Sequence, residues 1–257
     1  MNPYLKENTL VREELINYKL IYELKKAAAL KDYHLKIHMP SVDIDGYDMI
    51  IDDGALIRKA QIKSTLDSKT RVRDIHKKMI LPSYHSFEDY GFNNLFRSTD
   101  SCIILVKAQW VDDDLKISYY YTDIDILCLM GLGILVTTKS NSEKVSQILN
   151  PLRNSFNHSG KVRLSKSMFI KLNDAEAFLT IAGFHSRHQE HLHNNIWQAI
   201  KCRYKPAPHM NGVKGRGIEM TGHISHVATK FKELLSPDFK YEIKRPEDIF
   251  PHWFEDK

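Results

Sequence analysis

Apolar residues recur at four-residue steps between about Val11 and Leu30, where Ile16, Leu20, Leu24 and Ala28 are separated by charged positions with no Gly or Pro among them. This spacing predicts an amphipathic helix that buries one stripe. The period then changes. YHLKIHM alternates and stops before Pro40, as a short strand does. YDMII and ALIRKAQIKST are two β-prone runs flanking Asp52, Asp53 and Gly54, and an Asp-Gly pair favours a hairpin because Gly accepts positive φ. Arg71 to Ile80 reads as a basic helix, and SCIILVKAQW and LKISYYYTDIDIL as two further strands around the acidic turn VDDD.

Beyond about Ser140 the periodicity becomes helical, at EKVSQILN, DAEAFLTIAG and HNNIWQAIKC, with intervening loops rich in Gly, Pro and Asn. Two units are therefore expected: an α/β domain over residues 1–139 and a mainly helical region over 140–257, serving nucleic-acid recognition or oligomerisation.

The hairpin gathers the candidate chemistry. A two-residue turn at Asp53 and Gly54 sets Asp52 opposite Ala55, Asp48 opposite Lys59 and Gly46 opposite Gln61. Asp48, Lys59, Gln61 and Lys63 then leave one face, while Met49, Ile51, Ala60 and Ile62 leave the other. Asp45 falls on the opposite face, which favours Asp48 as the functional acid unless a bulge intervenes. A carboxylate, an amide oxygen and a lysine within about 7 Å of one another suit a hard divalent cation and a phosphate oxygen. Phosphodiester hydrolysis needs such a cation, which lowers the pKa of water and stabilises charge on the attacked phosphate.

Composition narrows the setting. A chain of 257 residues with 42% hydrophobic and 27% charged positions folds rather than stays disordered. Its net charge of +5 permits attraction to phosphates without diagnosing it. Cys102, Cys128 and Cys202 are widely spaced and form no CxxC pair, which fits reduced thiols. The first residues lack the pattern of a signal peptide, and the apolar stretch ILCLMGLGILV is too short to span a bilayer. A cytoplasmic location with no membrane partner is expected.

A helix carrying Glu23, a strand, GYDMIIDDG and then QIKST together resemble the PD-(D/E)XK nuclease superfamily in its Q-x-K variants, over roughly residues 14–130. The resemblance implies a restriction-endonuclease-like α/β core, with a central mixed β-sheet flanked by helices, followed by a mainly helical C-terminal region. It further implies a Mg²⁺- or Mn²⁺-dependent DNA endonuclease, of the kind used in restriction or antiviral defence. Asp48 resembles the metal-binding acid, Gln61 stands in the usual Glu position, and Lys63 resembles the catalytic lysine. Glu23 resembles the helix-borne acid that completes the metal site, preferred over Glu14 because it borders the Leu20 and Leu24 stripe. Gln61 in place of an acid removes one negative charge, so a binding or regulatory module that keeps the fold without hydrolysis is the alternative.

Lys59, Lys69, Arg71, Arg73, Lys77 and Lys78 concentrate positive charge where a nucleic-acid backbone would lie, DNA in preference to RNA, unless Asp67 and Asp74 make this an ordinary solvated helix face. A homodimer would suit a double-strand cut. Three other features have competing readings. HSRHQEHLH sets His185, His188, His191 and His193 close together, as a polar helix end or DNA-facing patch in preference to a zinc site. RNSFNH fits the R-N-x3-H form of HEPN ribonucleases and makes Arg153 and His158 a rival catalytic pair. NGVKGRGIEMTGH reads as a flexible basic loop lacking the spacing of a nucleotide-binding P-loop, with nucleic-acid contact as the secondary reading.

Overall fold

The computed structural model describes residues 7–40, 46–66, 72–82, 88–92, 101–112, 114–138, 141–154, 159–184, 192–205 and 212–255. Helix α1 (Thr9–Ala29) forms where the four-residue period predicts it, and Ile16, Leu20, Leu24 and Ala28 are its buried residues. Strands β1 (Lys36–His38), β2 (Met49–Asp52) and β3 (Ile57–Thr65) follow, then β4 (Val72–His76), β5 (Ser101–Val111) and β6 (Asp114–Thr122). Next come α2 (Ile124–Gly131), β7 (Leu135–Val136), α3 (Asn141–Asn154), β8 (Lys161–Ser165) and β9 (Ile170–Lys171). The chain continues through α4 (Ala175–Ile181), α5 (Leu192–Tyr204), α6 (Gly212–Leu234), β10 (Glu242–Ile243) and α7 (Pro246–Ile249).

The protein is α/β, built on a six-stranded sheet in the order β1-β2-β3-β5-β6-β9. The sheet is mixed: β3 and β5 run parallel, and the other neighbours pair antiparallel. Strand β5 lies inside the sheet with Cys102 to Val106 all buried, which is why its sequence is an unbroken apolar run instead of an alternation. The second half of the chain is woven into the first. Strand β8 pairs with β4, β9 extends the main sheet beyond β6, and β10 pairs with β7. One buried cluster runs from Ile16 to Trp253.

Three local expectations change, each for a physical reason. The hairpin connection spans four residues, so Asp52 faces Ile57 and Ile50 faces Lys59. Side-chain oxygens make the longer tip: Asp52 Oδ1 accepts from Gly54 N at 2.7 Å, and Asp53 Oδ1 accepts from Ala55 N at 2.9 Å and Leu56 N at 2.7 Å. Because the shift is two residues, parity is kept, and Met49, Ile51 and Ala60 still share the buried face. Residues 72–76 form a strand and Lys77–Ile80 a short 3-10 turn, in place of a basic helix. Pairing with β8 fixes the extended form, with Ile75 buried and its neighbour Asp74 exposed. The third change is at DIDIL, where β6 stops at Thr122 and Asp123 caps α2, its Oδ1 accepting from Ile126 N at 2.9 Å.

The glycine-rich segment also folds differently from expectation, as the start of the 23-residue helix α6. Gly217 explains a glycine inside it: a Cβ there would lie 2.7 Å from Cζ of Phe254. The same end holds Arg216 5.4 Å over the Trp253 ring and Arg203 5.4 Å over Phe250, clamping the terminal segment to α5 and α6. All three cysteines are buried and unpaired, with burial pushing each thiol up to about 12. Among the described residues no helix is long and apolar enough to cross a membrane.

Candidate active site

The β2–β3 ladder ends at Met49 opposite Ala60. One residue earlier the chain bends: Asp48 N donates to Ala60 O at 2.9 Å, out of step with the ladder, and the Asp48 carboxylate takes the next donor, Ile62 N, at 2.6 Å. A side-chain oxygen has replaced a strand carbonyl, and it draws the acid toward the far end of β3. There a surface pocket of about 410 Å³ is lined by Asp48, Tyr47, Lys63 and Ser64, with Glu13 and Asn17 contributed by α1. Lys59 stands over the Tyr47 ring, its Nζ 4.4 Å from the centroid.

Two of the expected site residues, Asp48 and Lys63, line the same pocket. Gln61 does not line the pocket; it is 3% exposed, and its Oε1 accepts from His76 N at 3.1 Å, tying β3 to the end of β4. Glu23 lies elsewhere on α1, accepting from the Tyr119 hydroxyl and paired with Lys19 at 3.3 Å. Glu14 is exposed and accepts from Tyr18. The helix acid in the pocket is Glu13, which sequence reasoning passed over although the signal was present. Glu13 precedes Leu20 by seven residues and Leu24 by eleven, so at about 100° per residue it prolongs the buried stripe itself, whereas Glu23 only borders it.

Gly46 sets the approach to this bend. Its φ of +80° is the left-handed region, and a Cβ would come within 2.4 Å of the His76 ring. Gly46→Ala is expected to cost about 1–3 kcal/mol through strain and displacement of His76. Urea unfolding measures it, and a loss well under 1 kcal/mol would mean that the ring yields freely.

The nearby positive charge is arranged on the β4–β8 ribbon. Arg73 faces inward and is half-buried, and burial lowers its pKa; Lys77 is half-buried and Lys78 exposed. Strand β8 adds the exposed Lys161 and Arg163, the latter 3.4 Å from Asp74. Lys69, Arg71, Asp67 and Asp45 lie outside the described residues, as do His158, His185, His188 and His191.

A second polar cluster sits at the opposite end of β3. Arg58, 3% exposed, donates to Asp123 Oδ2 and to the Tyr121 hydroxyl, both at 3.1 Å, and to Ser101 O at 3.5 Å. His193, in the first turn of α5, places Nε2 2.6 Å from Arg58 Nη2 and 3.3 Å from Asp125. The guanidinium has only donors, so this short contact needs a neutral imidazole accepting at Nε2. Burial and the Arg58 charge together push the His193 pKa down to about 4. The unfolded chain therefore takes the proton first as pH falls, and this contribution to stability, full above about pH 6.5, is lost toward pH 4. His193→Gln, which keeps an acceptor, is expected to flatten the fall in thermal midpoint between pH 6.5 and 5. An unchanged slope in the variant would refute this.

Arg153, one half of the rival pair, is engaged by protein groups: Nη2 donates to the Tyr204 hydroxyl at 2.7 Å, and the guanidinium lies 4.9 Å over that ring. It ties α3 to α5.

Among the described residues no three His, Cys, Asp or Glu side chains converge as a metal-binding group. The pocket does offer hard oxygen donors, the carboxylates of Asp48 and Glu13 and the amide of Asn17. That donor set fits Mg²⁺, which is held by one or two carboxylates and keeps several waters. Compared with protein-family models, curated proteins and solved structures, the chain has no significant match.

Proposed function

We propose that this protein is a Mg²⁺-dependent endonuclease that hydrolyses DNA phosphodiester bonds with a restriction-endonuclease-like core. The observation that carries the reading is that Asp48, Lys63 and Glu13, two carboxylates and a lysine from different elements, line one pocket. When bound, the cation supplies Lewis-acid stabilisation of the phosphoryl oxygens and lowers the pKa of water. Asp48 and Glu13 would hold it, with Asn17 as a neutral oxygen donor. Lys63 provides a fixed positive charge for the attacked phosphate and orients the water. Exposed Lys161 and Arg163 with Lys77 and Lys78 hold the backbone beside the pocket, since His76 of the same ribbon is bonded to Gln61 on β3.

One observation favours the alternative, a DNA-binding module without hydrolysis. Gln61, which the resemblance places among the metal ligands, is buried on His76 and does not line the pocket. Cleavage of supercoiled and linear DNA in Mg²⁺, Mn²⁺ and EDTA decides between the two. Glu13→Gln is expected to lower cleavage by about 10- to 100-fold through weakened metal binding, with Glu23→Gln near wild type. The reverse order would restore Glu23 to the site. Cleavage of RNA alone, lost in His158→Ala, would replace the reading by a HEPN-type one.

A further inference from the structure

The pocket beside Asp48 has an apolar side that the hydrolysis of a phosphodiester does not use. Met39, Pro40, Tyr47 and Ile62 line it together with the polar groups. Met39 is 44% exposed, and Pro40 and Tyr47 are half-buried, so this side is open to a ligand. A phosphate and a hydrated cation are satisfied by oxygen and nitrogen donors and gain nothing from a thioether, a prolyl ring or a phenol face. The pocket, about 410 Å³, falls within the roughly 300–1,000 Å³ of clefts that enclose an organic ligand. Tyr47 adjoins Asp48 and Ile62 adjoins Lys63 in the chain, so the same two segments build the apolar and the polar side.

We propose that the apolar side receives an unpaired nucleobase of the strand being cut, packed against Tyr47, so that the preferred substrate is single-stranded DNA. The inference rests on the nuclease reading of the same pocket. A base and its phosphate are joined in one nucleotide, as the two sides are joined in one pocket. Charge agrees with this division. Two carboxylates and one lysine line the pocket, so a phosphate enters only with a cation, whereas the uncharged planar base needs none. Lys59, with Nζ 4.4 Å from the Tyr47 ring centroid, sets a positive charge beside the bound base, where the adjoining phosphate runs. A base in a duplex reaches the pocket only by giving up its pairing and stacking, so duplex DNA is the poorer ligand.

Fluorescence anisotropy with a labelled single-stranded DNA oligonucleotide and the matching duplex tests this, with Ca²⁺ in place of Mg²⁺ so that binding is read apart from cleavage. The single strand is expected to bind about 10- to 100-fold more tightly than the duplex. Tyr47→Ala should weaken the single strand by about 10- to 100-fold, the loss of one base stacked on an aromatic ring, and the duplex by less than about threefold. Tyr47→Phe should keep the wild-type affinity. Met39→Glu, at an exposed position where the fold is unaffected, should also weaken the single strand by about 10-fold or more, and it decides if Tyr47→Ala lowers the thermal midpoint. Equal affinity for the two DNA forms, equal losses on both in a stably folded Tyr47→Ala, or an unchanged affinity in Met39→Glu overturns the proposal. So does tighter binding of a single-stranded RNA of the same sequence, or no binding of either DNA form. Selective binding of the single strand, lost in Tyr47→Ala but with no cleavage in Mg²⁺, supports the base site and removes only hydrolysis.

Discussion

Lys63→Met and Asp48→Asn are each expected to reduce DNA cleavage in Mg²⁺ by about 10²- to 10³-fold or more while leaving the fold intact. These substitutions are chosen over alanine for a structural reason. The Asp48 carboxylate also accepts from Ile62 N, so alanine would remove a strand bond together with the charge, whereas asparagine keeps an acceptor oxygen and removes only the charge. Methionine keeps much of the length of Lys63 beside Ser64 and Ile62 in the pocket wall. Initial rates on a linear duplex, with unfolding midpoints measured alongside, separate chemistry from stability. Both variants cutting at wild-type rate would remove this pocket from the reaction. DNA binding that persists in a wild type that never cuts would instead select the non-hydrolytic alternative.

The largest stability effect is expected at Arg58. Its guanidinium and the Asp123 carboxylate are 4% and 2% exposed, so the ion pair has little solvent screening. Arg58→Met should lose about 3–5 kcal/mol, because the Asp123 charge would remain buried with only the Tyr121 hydroxyl and Ile126 N to satisfy it. Asp123→Asn in that background should recover part of the loss, since asparagine still caps α2 while removing the stranded charge. Urea unfolding of the wild type, the two single variants and the double variant gives the coupling. Additivity within about 0.5 kcal/mol would mean that the two groups contribute separately. The same network joins β3 to the start of α5 through His193, so Arg58→Met should also weaken the attachment of that helix.

Local pattern determined several elements without help. The four-residue period fixed α1 and its buried stripe, the unbroken apolar run fixed β5, and Gly54 fixed a hairpin tip with φ of +86°. The face carried by Met49, Ile51 and Ala60 was also legible, because strand parity survives a two-residue change of register. Other features depended on groups distant in the chain. Whether residues 72–76 became helix or strand was decided by β8, nearly ninety positions later, which supplies the hydrogen-bond partners of the extended form. The end of β6 was decided by competition at Asp123, where a helix cap and the Arg58 ion pair together outweigh further strand.

The candidate site divides along the same line. The sequence by itself determined that Asp48 and Lys63 belong to one hairpin and that an acid-bearing helix precedes them. Only the tertiary structure decided that Glu13 reaches the pocket, that Glu23 is held by Tyr119 and Lys19, and that the Gln61 amide oxygen is taken by His76. The reason is physical. Periodicity encodes which face of an element is apolar, but not where along its length another element crosses it. For a 21-residue helix over a six-stranded sheet, that crossing chooses which acid meets Asp48.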